Sequence, residues 1–290
     1  MSTAELTRPA FSSADTSLLH EAGFVRTRRC RTGLMTYITH DSYIGRSLDL
    51  YGEFSPGEAH LFRQIIKPGM TVLDVGANIG AHTVLFGELV GSTGKVYAYE
   101  PQRVLFQILC ANVAQNGLFN VFPRQEAAGS AVSEITVPPV RYDVEGNYGC
   151  LSLGQYDFGE QVPVRTIDGL SLKSCHFIKI DVEGMEADVI RGARDTLARL
   201  RPLVYMENDR EDNSRALIEL MFSQDYRLFW HMTPYYKPDN YLGCPDNVFK
   251  GIVSINMLAV PRESGMNIVG LREVQSADEV WTQFARQKSD

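Results

Sequence analysis

Thr71-Val72-Leu73-Asp74-Val75-Gly76-Ala77-Asn78-Ile79-Gly80 is the stretch that decides the fold. A short apolar run of strand length ends in an acid, a glycine-rich turn follows, and Ala81–Val90 then reads as a helix. A glycine turn between strand and helix lets a ligand approach the backbone beside the free amides of the helix N-terminus. Working outward, Lys95–Tyr99 reads as the next strand and ends at Glu100, 20 residues after Gly80. A carboxylate there is placed to accept both ribose hydroxyls of an adenosine-containing cofactor. A dinucleotide fingerprint asks for a middle glycine so that a pyrophosphate can sit on bare backbone, and Asn78 stands in its place. Asp74 at the strand end would repel a phosphate and welcome an ammonium group. An amino-acid-bearing nucleoside such as S-adenosylmethionine therefore suits the segment better than NAD(P). The plain alternative is a strand–turn–helix without ligand, with Asp74 as a helix cap.

The alternation continues on both sides. Glu58–Ile66 reads as a helix stopped by Lys67-Pro68-Gly69, Val104–Asn116 as a helix, and Asn120–Pro123 as a third strand. Phe177–Asp181, Leu203–Met206, Tyr226–Trp230 and Ile252–Val260 read as strands four to seven, with helices over Met185–Leu200 and Ser214–Ser223. Strands alternating with helices imply an α/β fold with a mostly parallel sheet. Before it, a short helix is expected near Ser17–Glu21 and a strand at Met35–Thr39. Residues 131–170 break the rhythm: Pro138-Pro139, Gly146-Asn147, Gly149 and Gly154 predict an inserted hairpin or loop over the active edge of the sheet. The expected organisation is an N-terminal extension or cap (1–54), a main domain (55–262) and a polar tail (263–290) with a helix near Ala277–Gln287.

Composition narrows the function. Lys plus Arg is 28 against 35 Asp plus Glu, a net charge of −7, which argues against nucleic acid as a partner. The one basic cluster, Arg26-Thr27-Arg28-Arg29-Cys30-Arg31, reads as a solvated strand or loop. Apolar runs never exceed four residues, so no membrane span is expected. The five cysteines form no C-x-x-C pair and the six histidines no H-E-x-x-H. A reduced, cytoplasmic enzyme is expected; a homo-oligomer stays open.

Four segments make the chain resemble the FkbM-type S-adenosylmethionine-dependent methyltransferases: Leu73–Thr83, Tyr99-Glu100-Pro101, Ile178-Lys179-Ile180-Asp181-Val182-Glu183-Gly184-Met185-Glu186, and Arg201-Pro202 through Glu207-Asn208. The likeness runs from about Tyr43 to about Val260. It implies a class I methyltransferase (Rossmann-like) fold, a seven-stranded sheet with an antiparallel last strand. It also implies methyl transfer, usually to a hydroxyl of a sugar, polyketide or related small-molecule acceptor. On that resemblance Asp74, Gly76, Ala77, Asn78 and Gly80 would surround the methionine part of the cofactor and Glu100 the ribose. The adenine would lie near Gln125-Glu126-Ala127, although Glu126 is equally explained as a solvated loop acid. Gly52-Glu53 and Asn147-Tyr148-Gly149 resemble family positions near the site.

Asp181, Glu207 and Asn208 form a second constellation. They fall at the carboxyl ends of strands four and five, where ligands of α/β sheets bind, and offer the oxygen atoms that Mg²⁺ prefers. Asp181 is thus expected in the site, as a metal ligand or direct base, while capping of the following helices would also explain Asp181 and Asn208. No histidine or lysine stands at an obvious general-base position beside Asp181. His231, after strand six, is expected as the alternative base, with His82 and His176 as structural histidines. Tyr235, Tyr236, Tyr241 and Trp230 would wall an acceptor pocket or fill an ordinary aromatic core. A nicotinamide-dependent oxidoreductase and a non-catalytic scaffold of the same fold remain the rival readings.

Overall fold

The computed structural model describes residues 18–151 and 156–285. Its N-terminal part holds strands β1 (Leu18–Ala22), β2 (Val25–Cys30) and β3 (Gly33–Ile38), then helices α1 (Ile44–Tyr51) and α2 (Pro56–Ile65). Next come β4 (Thr71–Val75), α3 (Ala81–Val90), β5 (Lys95–Tyr99), α4 (Arg103–Gln115) and β6 (Val121–Arg124). After β7 (Ala127–Ala128), the insertion carries β8 (Ser133–Val137) and β9 (Glu160–Arg165). The chain continues with β10 (Phe177–Ile180), α5 (Glu186–Arg191), α6 (Arg194–Leu200), β11 (Leu203–Glu207) and α7 (Glu211–Ser223). It closes with β12 (Tyr226–Pro234), β13 (Val253–Pro261), β14 (Arg272–Glu273) and α8 (Thr282–Ala285).

Eight strands form the central sheet in the order β14-β12-β13-β11-β10-β4-β5-β6. β11, β10, β4, β5 and β6 run parallel, and β13 enters antiparallel between β11 and β12. This is the seven-stranded class I methyltransferase sheet with its antiparallel last strand, extended at one edge by the short β14. β4 and β10 are buried along their whole length, which is why they read as apolar runs rather than alternating ones.

Alternation along the strands sorts the core. Val72, Phe177, Tyr205, Phe229 and Leu258 face one cluster, with Phe62, Phe86 and the β3 residues Met35 and Tyr37. Leu73, Ile178, Val204, Leu228 and Ala259 face the other. On the first face the residue two positions on from Val72, Phe177, Tyr205 and Phe229 is Asp74, Lys179, Glu207 and His231. The same sheet face thus turns from apolar to polar toward the carboxyl ends of its parallel strands. That end is where an open α/β sheet offers a crevice.

The N-terminal strands pack against α4 through Asn112, whose Oδ1 accepts from the Thr36 amide at 2.7 Å and whose Nδ2 reaches the Ile79 carbonyl at 2.7 Å. One buried amide therefore ties this layer to the glycine turn. Three arginines of the basic cluster are paired with acids: Arg26 and Arg28 with Asp49, and Arg31 with Glu53. Three local expectations differ. The helix expected near Ser17–Glu21 is strand β1 over the described residues, because pairing with β2 overrides the helix preference of Leu18, Leu19 and Glu21. Met185–Leu200 is two helices, broken at Gly192, where a Cβ would lie 2.0 Å from the Gly129 carbonyl oxygen. The tail has only α8 near its expected helix, whose last two positions lie outside the described residues, as does Gly154 of the insertion. The insertion itself is a β8–β9 hairpin with β7 alongside β9.

Candidate active site

Two adjoining cavities open at the polar end of the sheet, of about 480 Å³ and about 1050 Å³. Both are bordered by Gly76, Glu100, Gln102, Gly149, Asp181 and Glu183. The smaller adds Glu126, Ala127, Ala128 and Met185; the larger adds Ala77, Asn78, His82, Lys179, Glu207 and Tyr235.

The turn after β4 is shaped by left-handed residues, with φ of 81° at Gly76, 51° at Asn78 and 87° at Gly80. Gly76 is required by its neighbour, since a Cβ would lie 1.7 Å from the Asp181 carbonyl oxygen. Gly80 lines neither cavity; a Cβ there would strike Leu109 of α4 at 2.6 Å, so its role is helix packing. Glu100 is buried on the wall shared by the two cavities. Its two carboxylate oxygens accept the Asn78 amide at 2.9 Å and the Gln102 amide at 2.8 Å. Burial pushes this carboxyl up to about 7, an effect the two amides only partly offset. Glu126 borders the smaller cavity and pairs with Arg165 at 3.4 Å.

Beneath the larger cavity lies Lys179. Its Nζ stands 3.1 Å from Asp181 Oδ2, 3.6 Å from Asp74 Oδ1 and 3.3 Å from the Gly76 carbonyl. A lysine does stand beside Asp181, though not as a base: Lys179 is two residues away in a strand, so it shares a face with Asp181. Burial works against its charge, yet Asp181, Asp74 and Glu58 outweigh this and hold the ammonium above its usual pKa. It is a fixed cation, not a base. Asp74 is fully buried, accepts a 2.6 Å hydrogen bond from Thr83, and lines neither cavity. It connects to the cavity floor through Lys179, whose Nζ lies 3.6 Å from its Oδ1.

The metal-type constellation is rearranged. Asn208 lies one residue after Glu207, just past the end of β11, and so faces the opposite side of the sheet, where its Nδ2 meets Ser214 Oγ at 2.9 Å and Met257 sulfur at 3.3 Å. In its place stands Glu183. The left-handed pair Glu183 (φ 58°) and Gly184 (φ 102°) turns the chain back over β10, and Glu186 closes the turn by accepting the Gly184 amide at 2.9 Å. Oxygens of Asp181, Glu183 and Glu207 then lie within 4.8 Å of one another. Burial, then Asp181, pushes Glu183 up to about 7; the same causes hold Glu207 well above the carboxylate range. Sequence reading missed Glu183 because loop curvature, not periodicity, returns it; its place beside Asp181 in the Asp181-Val182-Glu183-Gly184 run was the available signal.

His231 is not in the site. β13 and β11 separate its strand from β10, an offset of roughly 14 Å at about 4.8 Å per strand. Its Nδ1 is engaged by the Tyr205 hydroxyl at 2.8 Å, and burial lowers its pKa to about 4. His82 is the histidine that borders the larger cavity, with Nε2 3.7 Å from Glu58 Oε2 and burial holding it neutral. Of the expected aromatic wall only Tyr235 lines the cavity, joined by Tyr43 and Phe54; its ring lies 5.5 Å from that of Phe54. Trp230 is in the core and Tyr236 packs on Tyr51. Tyr241 lies under Arg31. Gly52 caps α1 and Glu53 holds Arg31, both outside the cavities, whereas Asn147 and Gly149 border the larger one. His176 accepts the Thr71 amide at 2.9 Å, a structural role.

The family model described as methyltransferase FkbM domain matches residues 74–228, from the acid of β4 into β12. The chain belongs to the FkbM methyltransferase family. No curated protein matches the sequence. Among solved structures, an FkbM methyltransferase from Methylobacillus flagellatus is similar over 69% of this chain and 50% of its own, at 17% identity and a TM-score of 0.45. The present FkbM chain thus spans about half the length of that relative. A SAM-dependent O-methyltransferase from Thermotoga maritima is similar over 81% of this chain and 77% of its own (15% identity, TM-score 0.45). Aeropyrum pernix fibrillarin, solved with natively bound S-adenosyl-L-methionine, is similar over 84% and 97% (13% identity, TM-score 0.44). Among the described residues of this FkbM chain no helix is long and apolar enough to cross a membrane.

Proposed function

We propose that this FkbM methyltransferase takes its methyl group from S-adenosyl-L-methionine and delivers it to a hydroxyl oxygen of a small molecule, of the sugar or polyketide kind. The observation that carries the reading is Glu100. A buried carboxylate held by two backbone amides on a wall between two cavities keeps lone pairs for two further donors, which vicinal ribose hydroxyls supply. The residues fit the cofactor in charge as well. The smaller cavity, with Ala127, Ala128 and Met185, suits an adenine, and Asp181 and Glu183 offer carboxylates to a cationic sulfonium and ammonium. Asn78 at the turn weighs against a dinucleotide, whose pyrophosphate needs bare backbone there.

When bound, the cofactor supplies a methyl carbon already activated by its sulfonium. The protein's residues align and deprotonate. Lys179 fixes the Asp181 carboxylate from below at 3.1 Å, and Asp181, exposed to the larger cavity, receives the proton of the acceptor hydroxyl. Tyr43, Phe54 and Tyr235 hold the acceptor's carbon skeleton and exclude water. Calorimetry with S-adenosylhomocysteine and with NAD, followed by labelled-methyl transfer to a panel of sugars and hydroxylated polyketides, tests the reading. Binding of NAD in preference, or of neither ligand, would overturn it in favour of the oxidoreductase or scaffold alternatives.

A further inference from the structure

We infer that His82 is a catalytic residue on the acceptor side, its imidazole N–H binding the oxygen of the reacting hydroxyl, and that Glu58 is the positioning residue that fixes it. This role rests on the methyl-transfer reading. His82 borders the larger cavity and is only 6% exposed. Its Nε2 is shut off from solvent, meets no hydrogen-bond partner among the described residues, and faces Glu58 Oε2 at 3.7 Å. A polar atom left so is costly to bury, and no pairing inside the fold offsets it. The ring lies among aromatics, edge-on to Phe62 at 5.1 Å, tilted on Phe54 at 5.5 Å and stacked on Phe86 at 6.1 Å. A phenyl ring would pack there as well, so packing alone does not call for an imidazole.

Glu58 is held from its other side. Ser254 and Asn256 of β13 both donate to its Oε1, Asn256 at 3.1 Å, which leaves Oε2 turned to His82. Burial holds this carboxyl above the ordinary glutamate range, so Oε2 carries a proton that Nε2 accepts. The imidazole, kept neutral by burial, then has its own proton on Nδ1 and is left as a donor. In the transfer, one lone pair of the hydroxyl oxygen forms the bond to the methyl carbon. The carbon–sulfur bond breaks with its electron pair passing to sulfur, and the hydroxyl proton goes to Asp181. His82 donates to the oxygen's second lone pair, which aims the first and stabilises the negative charge that grows as the proton leaves. Phe54 touches both this ring and Tyr235, so the acceptor wall runs continuously to the donor.

The test uses the full chain, with labelled-methyl transfer to sugars and hydroxylated polyketides, S-adenosylhomocysteine calorimetry, and thermal melts without ligand. His82→Phe should melt no lower than the wild type and bind S-adenosylhomocysteine with unchanged affinity, while its kcat falls roughly a hundredfold. His82→Gln, which keeps an N–H donor, should stand between the two. Glu58→Met should lower kcat about tenfold through loss of ring position. Glu58→Gln should recover most of that loss, since its oxygen can stay with Ser254 and Asn256 while its amide turns to Nε2. Nitrogen-15 NMR of histidine-labelled protein reads the ring without any acceptor, and a neutral His82 with its proton on Nδ1 is expected. A proton on Nε2, undiminished kcat in folded His82→Phe, or a deeper loss in Glu58→Gln than in Glu58→Met overturns the inference. So does a fall in melting temperature that parallels the loss of turnover, which would make the imidazole purely structural. A wild type that binds no S-adenosylhomocysteine sinks the methyl-transfer reading, whereas equal methyl transfer by wild type and His82→Phe sinks this inference alone.

Discussion

Gly76 and Asp181 meet backbone to backbone: a Cβ on Gly76 would lie 1.7 Å from the Asp181 carbonyl oxygen. β4 and β10 are neighbours in register up to Val75 and Ile180, so the two chains leave the sheet side by side and the turn has no room to yield. Gly76→Ala is therefore expected to cost about 2–4 kcal/mol in folding stability, from the clash and the left-handed φ together. Gly117→Ala is the comparison, because Gly117 has φ 63° and open space around it. That variant should lose only about 1 kcal/mol. Urea denaturation of both reads the difference, and equal losses would place the whole cost in φ.

Glu100 gives cofactor binding a pH dependence with a defined sign. Its carboxyl is pushed up to about 7 by burial, so the free protein carries it largely protonated in mild acid. Ribose hydroxyls donate best to the ionised form. Affinity for S-adenosylhomocysteine should rise as pH climbs through about 7 and then level off. The raised value acts oppositely on folding: the Glu100 contribution to stability is present below the ordinary glutamate range and fades as pH rises through about 7. Glu100→Ala should weaken binding by roughly 2–3 kcal/mol and remove most of the slope. Calorimetry across that range checks both; a flat wild-type profile would contradict the assignment.

Lys179→Met should destabilise the fold by about 3–5 kcal/mol, because it strands the fully buried Asp74 beside Asp181. The direction with pH is the useful part. Burial already holds the Asp74 carboxyl above its ordinary value, and Lys179 opposes the rise; without Lys179 the rise is larger, so the variant keeps its stability in acid and loses it as pH rises. The gap between wild type and variant should be wider at alkaline pH than at acid pH. Denaturant melts at two pH values measure it.

His231→Phe should leave methyl transfer within a few-fold of wild type, since three strands' width separates the ring from Lys179 and Asp181. Its cost falls on stability instead, about 1–3 kcal/mol, as the buried Tyr205 hydroxyl loses its partner. A large drop in turnover with unchanged melting would return His231 to the mechanism.

These positions also explain what the sequence discloses. β4, β5 and α3 are legible residue for residue because parallel strands with largely buried faces are dominated by apolar residues, and the glycine turn punctuates them. Glu100 and Gly76 follow, since each is fixed by its own strand end. Asn208 misleads because two adjacent residues of one strand cannot face the same ion, a constraint that charge type alone does not carry. His231 misleads for a lateral reason: its height along the sheet is right, and only strand order reveals the distance. Lys179 and Asp181 share a face by simple alternation, so that contact was readable. Glu183 was signalled only by its nearness to Asp181 in the chain, because a turn with left-handed residues at Glu183 and Gly184, rather than strand alternation, sets its place. β1 was misread because local preference favours a helix where only pairing with β2 makes a strand.

The Gln102 side chain joins two parts of the molecule that are far apart in sequence. Its Nε2 donates to the Tyr148 carbonyl at 2.8 Å and its Oε1 accepts from the Tyr142 hydroxyl at 3.1 Å, while its own amide holds Glu100. On the other side the same loop is pinned to the N-terminal layer, with the Gly146 amide on the His40 carbonyl at 3.0 Å and the Ser42 amide on the Gly146 carbonyl at 2.9 Å. The loop that borders the larger cavity is thus socketed into its surroundings, not merely held by its own hairpin. Anyone grafting residues 131–170 onto another member of the family to exchange acceptor preference must carry the sockets as well: Gln102 and the 40–42 backbone. A graft without them would hang from β8 and β9 alone, leaving Asn147 and Gly149 unanchored and Glu100 deprived of the neighbour that holds its wall in place.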